Sequence, residues 1–255
     1  VGPNGAGKTT RVKLLLGLLR RDAGEVRLLG YDTLREAPEI LPRLGFVLDT
    51  PCFYPHLKPA VFGQMVGRFY PTWDPARFHK LCREFELPLD RRIGRYSRGM
   101  KMKLALVLAL AHDAELIVMD EPTAGLDPVF RRQLLERLAA LIQDERRAVL
   151  FSTHITSDLE RVADFITCLD QGRILFSSTR DEIHSRWALV RGGGELLEPG
   201  LLPLLRGVAR GAFGFRALTD RAGEVRARLR DTDAVVERAS LDDLMSMLHR
   251  RDSHA

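Results

Sequence analysis

Eight residues near the start of the chain restrict its fold more than any other feature. Gly2-Pro3-Asn4-Gly5-Ala6-Gly7-Lys8-Thr9 fits the pattern G-x-x-x-x-G-K-[ST] at every fixed position. Glycine has no Cβ, so several successive N–H groups can turn toward one point. The lysine adds a compact positive charge, and the threonine a hydroxyl that can ligate a hard cation. Val12, Leu15, Leu16 and Leu19 then recur at helical spacing. A helix that opens there aims its positive end at whatever the loop encloses. The pattern predicts a phosphate-binding loop between a strand and a helix. Gly2, Pro3, Asn4, Gly5, Ala6, Gly7, Lys8, Thr9 and Thr10 are the expected cradle of a nucleotide. Only Val1 precedes the loop, so the strand is expected upstream of residue 1.

A second signal lies far along the chain. Leu116-Ile117-Val118-Met119-Asp120-Glu121-Pro122 is an apolar run ending in two carboxylates and a proline. Such a run suits a strand covered on both faces of a parallel sheet. Ligands of these sheets bind at the carboxyl ends of the strands. Asp120, with Thr9, is the expected Mg²⁺ ligand. Glu121 projects differently from its neighbour and is the expected general base for an attacking water. Alone, the acid pair is an ordinary polar strand exit. Behind a phosphate loop it becomes the expected acidic partner.

Three further stretches continue the pattern. Tyr96-Ser97-Arg98-Gly99-Met100 precedes an apolar helix over Lys101–Ala111, with Ser97 as N-cap. Ser97 and Gly99 stand at the mouth of a second anion site. Arg91, Arg92, Arg95, Arg98, Lys101 and Lys103 make the neighbourhood basic. No aromatics are interleaved to stack bases, so nucleic acid is not the expected partner. Asp127 and Pro128 start another helix, running to about Gln143. Ala148-Val149-Leu150-Phe151 reads as a buried strand ending in Ser152-Thr153-His154, which places His154 at the same sheet edge. Ser157 and Glu160 are spaced as a capping box for the helix that follows.

In order and spacing, these motifs resemble the ATP-binding subunits of ABC transporters. The resemblance covers residues 1 to about 185. Tyr96–Met100 is similar to that family's LSGGQ signature, matching at Ser97 and Gly99 and departing at Tyr96, Arg98 and Met100. The resemblance implies an α/β fold: a P-loop NTPase core with a mostly parallel sheet, a helical subdomain over about 50–112, and a small α+β extension over 186–255. It also implies a mechanism. Two ATPase domains, identical or different, stack head to tail around ATP and Mg²⁺. Lys8, Thr9 and Asp120 hold the magnesium nucleotide, Glu121 polarises water and His154 contacts the γ-phosphate. Ser97 and Gly99 serve the partner's site, and Asp127 couples the two sites. Family members carry Gln after the Leu-Gly-Phe-Val-Leu strand, where this chain has Asp49. Asp49 can still reach the metal or the water, at the cost of an added negative charge. The implied partner is a transmembrane permease, with the ATPase peripheral on the cytoplasmic face of the membrane. Features around residues 49–56 and 152–158 are similar to a bacterial branch that exports antibiotics and small metabolites.

Bulk properties fit this reading. The 255 residues are 45% hydrophobic and 29% charged, with net charge +5, which suits a chain that buries a substantial core. The three cysteines, Cys52, Cys82 and Cys168, form no CxxC pair, which argues against a zinc site or disulfide framework. No apolar run approaches the ~20 residues of a membrane span. Gly24–Leu29 reads as a strand, and Val61–Tyr70 and Pro75–Phe85 as helices. Phe53, Tyr54, Phe62, Phe69 and Trp73 are candidates for a permease groove or for core. Ile166–Leu169 and Arg173–Phe176 flank Asp170-Gln171-Gly172 as a hairpin. Trp187–Arg191 and Val235–Glu237 read as short strands, and Ser240 with Asp243 caps a helix over Leu241–His249. Two rival functions stand beside this one. Ribosome- or nucleic-acid-directed ATPases of this type generally carry two ATPase units or a long coiled coil, and neither is present between Lys8 and Ser97. A non-transport nucleotide-binding regulator gains weight from Asp49 and loses it from Glu121 and His154.

Overall fold

The computed structural model describes residues 1–248, and the chain groups into two compact units. One unit is Lys8–Thr153. The other joins Val1–Gly7 to the chain from His154 onward.

The Lys8–Thr153 unit begins with α1 (Lys8–Leu15) and a short hairpin, β1 (Arg27–Leu28) and β2 (Tyr31–Asp32). The strand expected over Gly24–Leu29 is therefore shorter, because Gly24 takes a positive φ of 82° and turns the chain. Then come α2 (Ala37–Ile40), β3 (Leu44–Val47), α3 (Pro59–Gly67), α4 (Pro75–Glu84) and α5 (Arg98–Leu110). Prolines stand in the first turns of α3 and α4, where a missing N–H costs nothing, so α3 starts two residues earlier than its apolar periodicity suggests. The unit closes with β4 (Leu116–Asp120), α6 (Pro128–Leu141) and β5 (Ala148–Ser152).

The strands β3, β4 and β5 form a parallel sheet with β4 in the middle, and all five β4 residues are buried. The two faces of β4 serve different clusters. Leu116 and Val118 pack with Val12, Leu28, Ile40 and Leu44. Ile117 and Met119 join the larger core of Leu104, Leu106, Phe130 and Leu138. Alternation along a strand thus wedges β4 between two layers, as its unbroken apolar run predicts. By contrast β5 is half-exposed, and Leu150 is 40% accessible. Its expected full burial fails because β4 is its one neighbour in this sheet.

The other unit starts with α7 (Thr156–Val162) and the hairpin β6 (Phe165–Asp170) and β7 (Arg173–Thr179). Gln171 and Gly172 both have positive φ, 44° and 76°, as a tight two-residue hairpin turn requires. The expected Ser157–Glu160 capping box does not form. The N-cap is Ile155, and the Thr156 hydroxyl instead donates to Asp242 at 2.6 Å. A complete capping box occurs one helix later, where Thr179 and Glu182 cap α8 (Arg180–Arg186).

Beyond α8 follow β8 (Ala188–Gly192), β9 (Arg206–Gly211), β10 (Gly214–Thr219), α9 (Ala222–Arg228), β11 (Val235–Arg238) and α10 (Leu241–Leu248). The four strands form an antiparallel sheet in the order β11-β8-β10-β9. The Ser240–Asp243 capping box of α10 forms as expected, with both reciprocal bonds at 3.1 Å. The last residue of that expected helix, His249, lies outside the described residues.

Candidate functional site

The expected phosphate loop is built on the hairpin of its own unit. The Val1 amino group donates to the Thr167 carbonyl and the Leu169 N–H to the Val1 carbonyl, both at 2.7 Å. That pair is the bonding pattern of a parallel bridge, with Val1 against β6. At Gly2 a Cβ would lie 2.2 Å from the Leu169 carbonyl oxygen, so no larger residue fits there. Gly5 and Gly7 have φ of 83° and 92°, a region open to glycine. Gly172 N–H donates to the Ala6 carbonyl at 3.0 Å, which fixes the loop to the β6–β7 turn. Asn4 and Gly5 are exposed, while Gly2 and Ala6 are buried. The pattern signalled flexibility in this loop, and the structure adds its anchor, which no sequence signal gave.

In the Lys8–Thr153 unit, Lys8, Thr9 and Thr10 open α1, which packs on β4 and β5. Lys8 is buried, and its Nζ lies 3.3 Å from Glu121 Oε1. Glu121 has φ +49°, in the left-handed region, one residue past the end of β4. Its N–H donates to the Ser152 carbonyl at 3.0 Å, and Ala124 N–H donates to its carbonyl at 3.1 Å. Strand exit, left-handed residue and turn together send the Glu121 side chain to Lys8. Asp120 is fully buried, and its Oδ1 accepts a hydrogen bond from the Ser152 hydroxyl. Its Oδ2 is buried with no hydrogen-bond partner among the described residues. A buried carboxylate oxygen left open in this way suits a hard cation. Among the described residues no three acidic, His or Cys side chains converge as a metal group. A magnesium ion here would draw its remaining oxygens from phosphate and water, as that ion ordinarily does. Asp49, partly buried two residues beyond β3, leaves the sheet at the same edge, since Val47 pairs with Met119.

The signature stretch lies on the same unit. The Ser97 hydroxyl accepts from Met100 N–H at 3.2 Å and caps α5. Tyr96 is buried, and its hydroxyl donates to the Pro88 carbonyl at 2.8 Å, which explains a tyrosine where the resemblance has leucine. The extrapolated Cβ of Gly99 lies 3.9 Å from the Gly125 carbonyl oxygen, so the mouth of α5 stands beside the 124–127 loop. Asp127 caps α6 by accepting from Phe130 N–H at 2.9 Å. That N–H, and then the nearby Lys103 ammonium, hold the Asp127 carboxyl below its ordinary range. Lys103 itself lies 4.2 Å from the centre of the Phe130 ring, so part of the basic stretch serves packing. His154 is exposed and belongs with Gly2–Gly7 to the other unit.

The structure thus brings Lys8, Asp120 and Glu121 together around Ser152, and Ser97 and Gly99 together beside Gly125. Ser152 is the residue that sequence reasoning placed in the strand without a role.

A family model described as "ABC transporter" matches residues 1–124. A solved structure titled "Structure of ATP binding subunit of ABC transporter" is 30% identical, with a TM-score of 0.64, over 72% of this chain and 79% of that one. The chain belongs to the ABC transporter ATP-binding family. Among curated relatives, the bacitracin transport ATP-binding protein BcrA of Bacillus licheniformis is 29% identical over 188 residues, covering 73% of this chain and 61% of that protein. The Nod factor export ATP-binding protein I of Burkholderia lata is 36% identical over 184 residues, covering 68% and 58% respectively. The chain spans about three fifths of the length of the curated relatives it matches. As an ABC ATP-binding chain it has the P-loop NTPase fold, with β3, β4 and β5 as its parallel sheet. Among the described residues no helix is long and apolar enough to cross a membrane.

Proposed function

We propose that this chain binds ATP with Mg²⁺ and hydrolyses it to drive export of a small molecule through a separate membrane permease, as one of two paired ATPase domains. The observation that carries the proposal is the cluster of Lys8, Asp120 and Glu121. Lys8 takes the β- and γ-phosphate oxygens. Thr9 and the open Oδ2 of Asp120 hold the ion, which neutralises charge on the phosphates when bound. Glu121, freed from Lys8 by the incoming phosphates, accepts a proton from water. The water oxygen attacks the γ-phosphorus, and the bond to the bridging oxygen of ADP breaks. His154 and Asp49 contact the γ-phosphate and the water. Ser97 and Gly99, at the exposed mouth of α5, serve the ATP held by the partner domain, and Asp127 links the two sites.

An apolar cleft of about 190 Å³ supports permease docking. Phe46, Cys52, Phe53, Phe62, Tyr70 and Leu108 line it, with lining residues on both sides of Asp49 in the chain. Of the aromatics weighed for this role, Phe53 and Phe62 take part, in edge-on contact at 5.3 Å. Trp73 packs on Phe78, while Tyr54 and Phe69 are exposed. In this proposal residues 1–185 form the ATPase domain, residues 50–112 its permease-facing part, and residues 186–255 an accessory domain. The working place is the cytoplasmic face of a membrane.

The test is ATP turnover by the protein beside its Glu121→Gln variant. Slow Mg²⁺-dependent turnover, abolished by the substitution with ATP trapped in a dimer, is expected. A wild-type protein that binds ATP but never dimerises or turns over, even with its permease, would instead be a nucleotide-binding regulator.

A further inference from the structure

A second cleft, polar and of about 540 Å³, lies within the Lys8–Thr153 unit. Its walls include Gly17, Arg20, Arg21, Asp22, Leu34 and Arg35. The local sequence explains why they meet. Gly17 adopts φ +68° and ends the first helix, with Leu18 and Leu19 N–H groups returning to the Lys13 carbonyl. A Cβ at Gly17 would lie 3.1 Å from the Thr33 carbonyl oxygen, so glycine allows the close approach. Arg20 and Arg21 are thereby set against the β1–β2 hairpin.

Asp32 organises the cleft. Its Oδ1 accepts from Leu34 and Arg35 N–H groups at 2.9 and 3.1 Å, and its Oδ2 accepts from Arg21 Nη2 at 2.6 Å. Arg21 is held by that bond, yet its Nη1 is buried with no hydrogen-bond partner among the described residues. The hydroxyl of neighbouring Thr33, a residue only 6% exposed, is in the same condition. A buried donor without an acceptor is costly, and a guanidinium more so than a neutral group. Arg20 and Arg35 are exposed and form no ion pair among the described residues, and Asp22 is the single carboxylate in the cleft wall. The placement of arginines after a helix C-terminus is favourable in itself. It does not account for a third arginine, Arg35, three residues past β2 in the same cleft wall.

We propose that this cleft binds a phosphate-bearing anion, at a site separate from the nucleotide site and independent of the reading given for it. Guanidinium groups match phosphate oxygens in paired hydrogen bonds, and Arg21 is already oriented. The exposed side chains of Leu18, Leu19 and Leu34 stand beside the arginines. A soluble phosphate compound would leave these leucines in water, whereas a phospholipid headgroup would bring acyl chains over them.

Pyrophosphate titrated into isotope-labelled protein saturated with MgADP tests the site, read from the arginine Nε–Hε resonances. The Arg20→Gln/Arg35→Gln double variant leaves the nucleotide machinery untouched. A saturable shift of the Arg21 resonance is expected in the wild type, with a midpoint at least about ten-fold higher in the variant. Co-sedimentation with phosphatidylglycerol or phosphatidylcholine vesicles separates the two sources. Capture by phosphatidylglycerol alone, lost in the variant and competed by pyrophosphate, identifies a headgroup site. A pyrophosphate shift without capture identifies a soluble phosphate compound. Absence of both a saturable shift and charge-dependent capture overturns the proposal, as does equal binding by wild type and variant. Loss of ADP binding would bear on the nucleotide reading alone.

Discussion

Glu121 stands at φ +49°, where a side chain crowds its own backbone at a cost of about 1–2 kcal/mol. Strain of this kind persists only where neighbours over-determine the conformation. Here the neighbours are the Ser152 carbonyl, which accepts from Glu121 N–H, and the Lys8 ammonium. The carboxylate is also the counter-ion of a lysine whose side chain is only 6% exposed. Glu121→Gln should therefore lower nucleotide-free stability by about 1.5–3 kcal/mol, the worth of a hydrogen bond to a charged group. Saturating MgATP should erase that difference, because phosphates then face Lys8. Urea unfolding of both proteins, with and without nucleotide, would measure it. A deficit that persists in ATP would place the cost in packing and not in the pair.

Short-range chemistry governs the elements, and short-range chemistry is what the sequence discloses. Ser97 and Asp127 were legible as N-caps because a side chain and an N–H three residues on settle the matter locally. The burial of β4 was legible from four successive apolar residues. The Ser157–Glu160 box failed because Thr156 is drawn 86 residues away to Asp242, and Glu160 accepts from Leu241 N–H. No local pattern announces such a partner. Strands β9 and β10 also escaped notice, since arginines and glycines interrupt their alternation. In the candidate site the residue types were readable, while the Lys8–Glu121 contact and the Gly2 anchor on Leu169 were not. The caps allow structure and function to be separated. Ser97→Ala should cost about 1 kcal/mol of stability, whereas Ser97→Asp keeps a good cap and should cost little. ATP turnover should fall more in Ser97→Asp, which sets a negative charge where the partner's γ-phosphate is expected. If thermal stability and turnover instead fall in parallel across the two variants, Ser97 acts as a cap alone.

At the scale of the whole chain, the loop of Val1–Gly7 belongs with the unit that carries α10, although Lys8 belongs to the other. Leu244 is fully buried on α10, and α10 contacts α7, β9 and β10. Leu244→Ala should remove about 3 kcal/mol from that unit. Far as it is in sequence from the loop, it should also shift loss of nucleotide binding to lower urea. Fluorescent-nucleotide titrations across a urea series would show it, and unchanged titrations would mean that the loop holds its shape without its unit. The contact between Lys8 and Glu121 has a further consequence. Since the carboxylate is held beside the ammonium by the fold, it is a competitor that never diffuses away. A single phosphate ion meets that competitor with one group. A triphosphate meets it with three, and with the amides of the loop as well. If Lys8 takes phosphate as proposed, displacing that carboxylate weighs more on an anion that meets the protein with one group than on one that meets it with three.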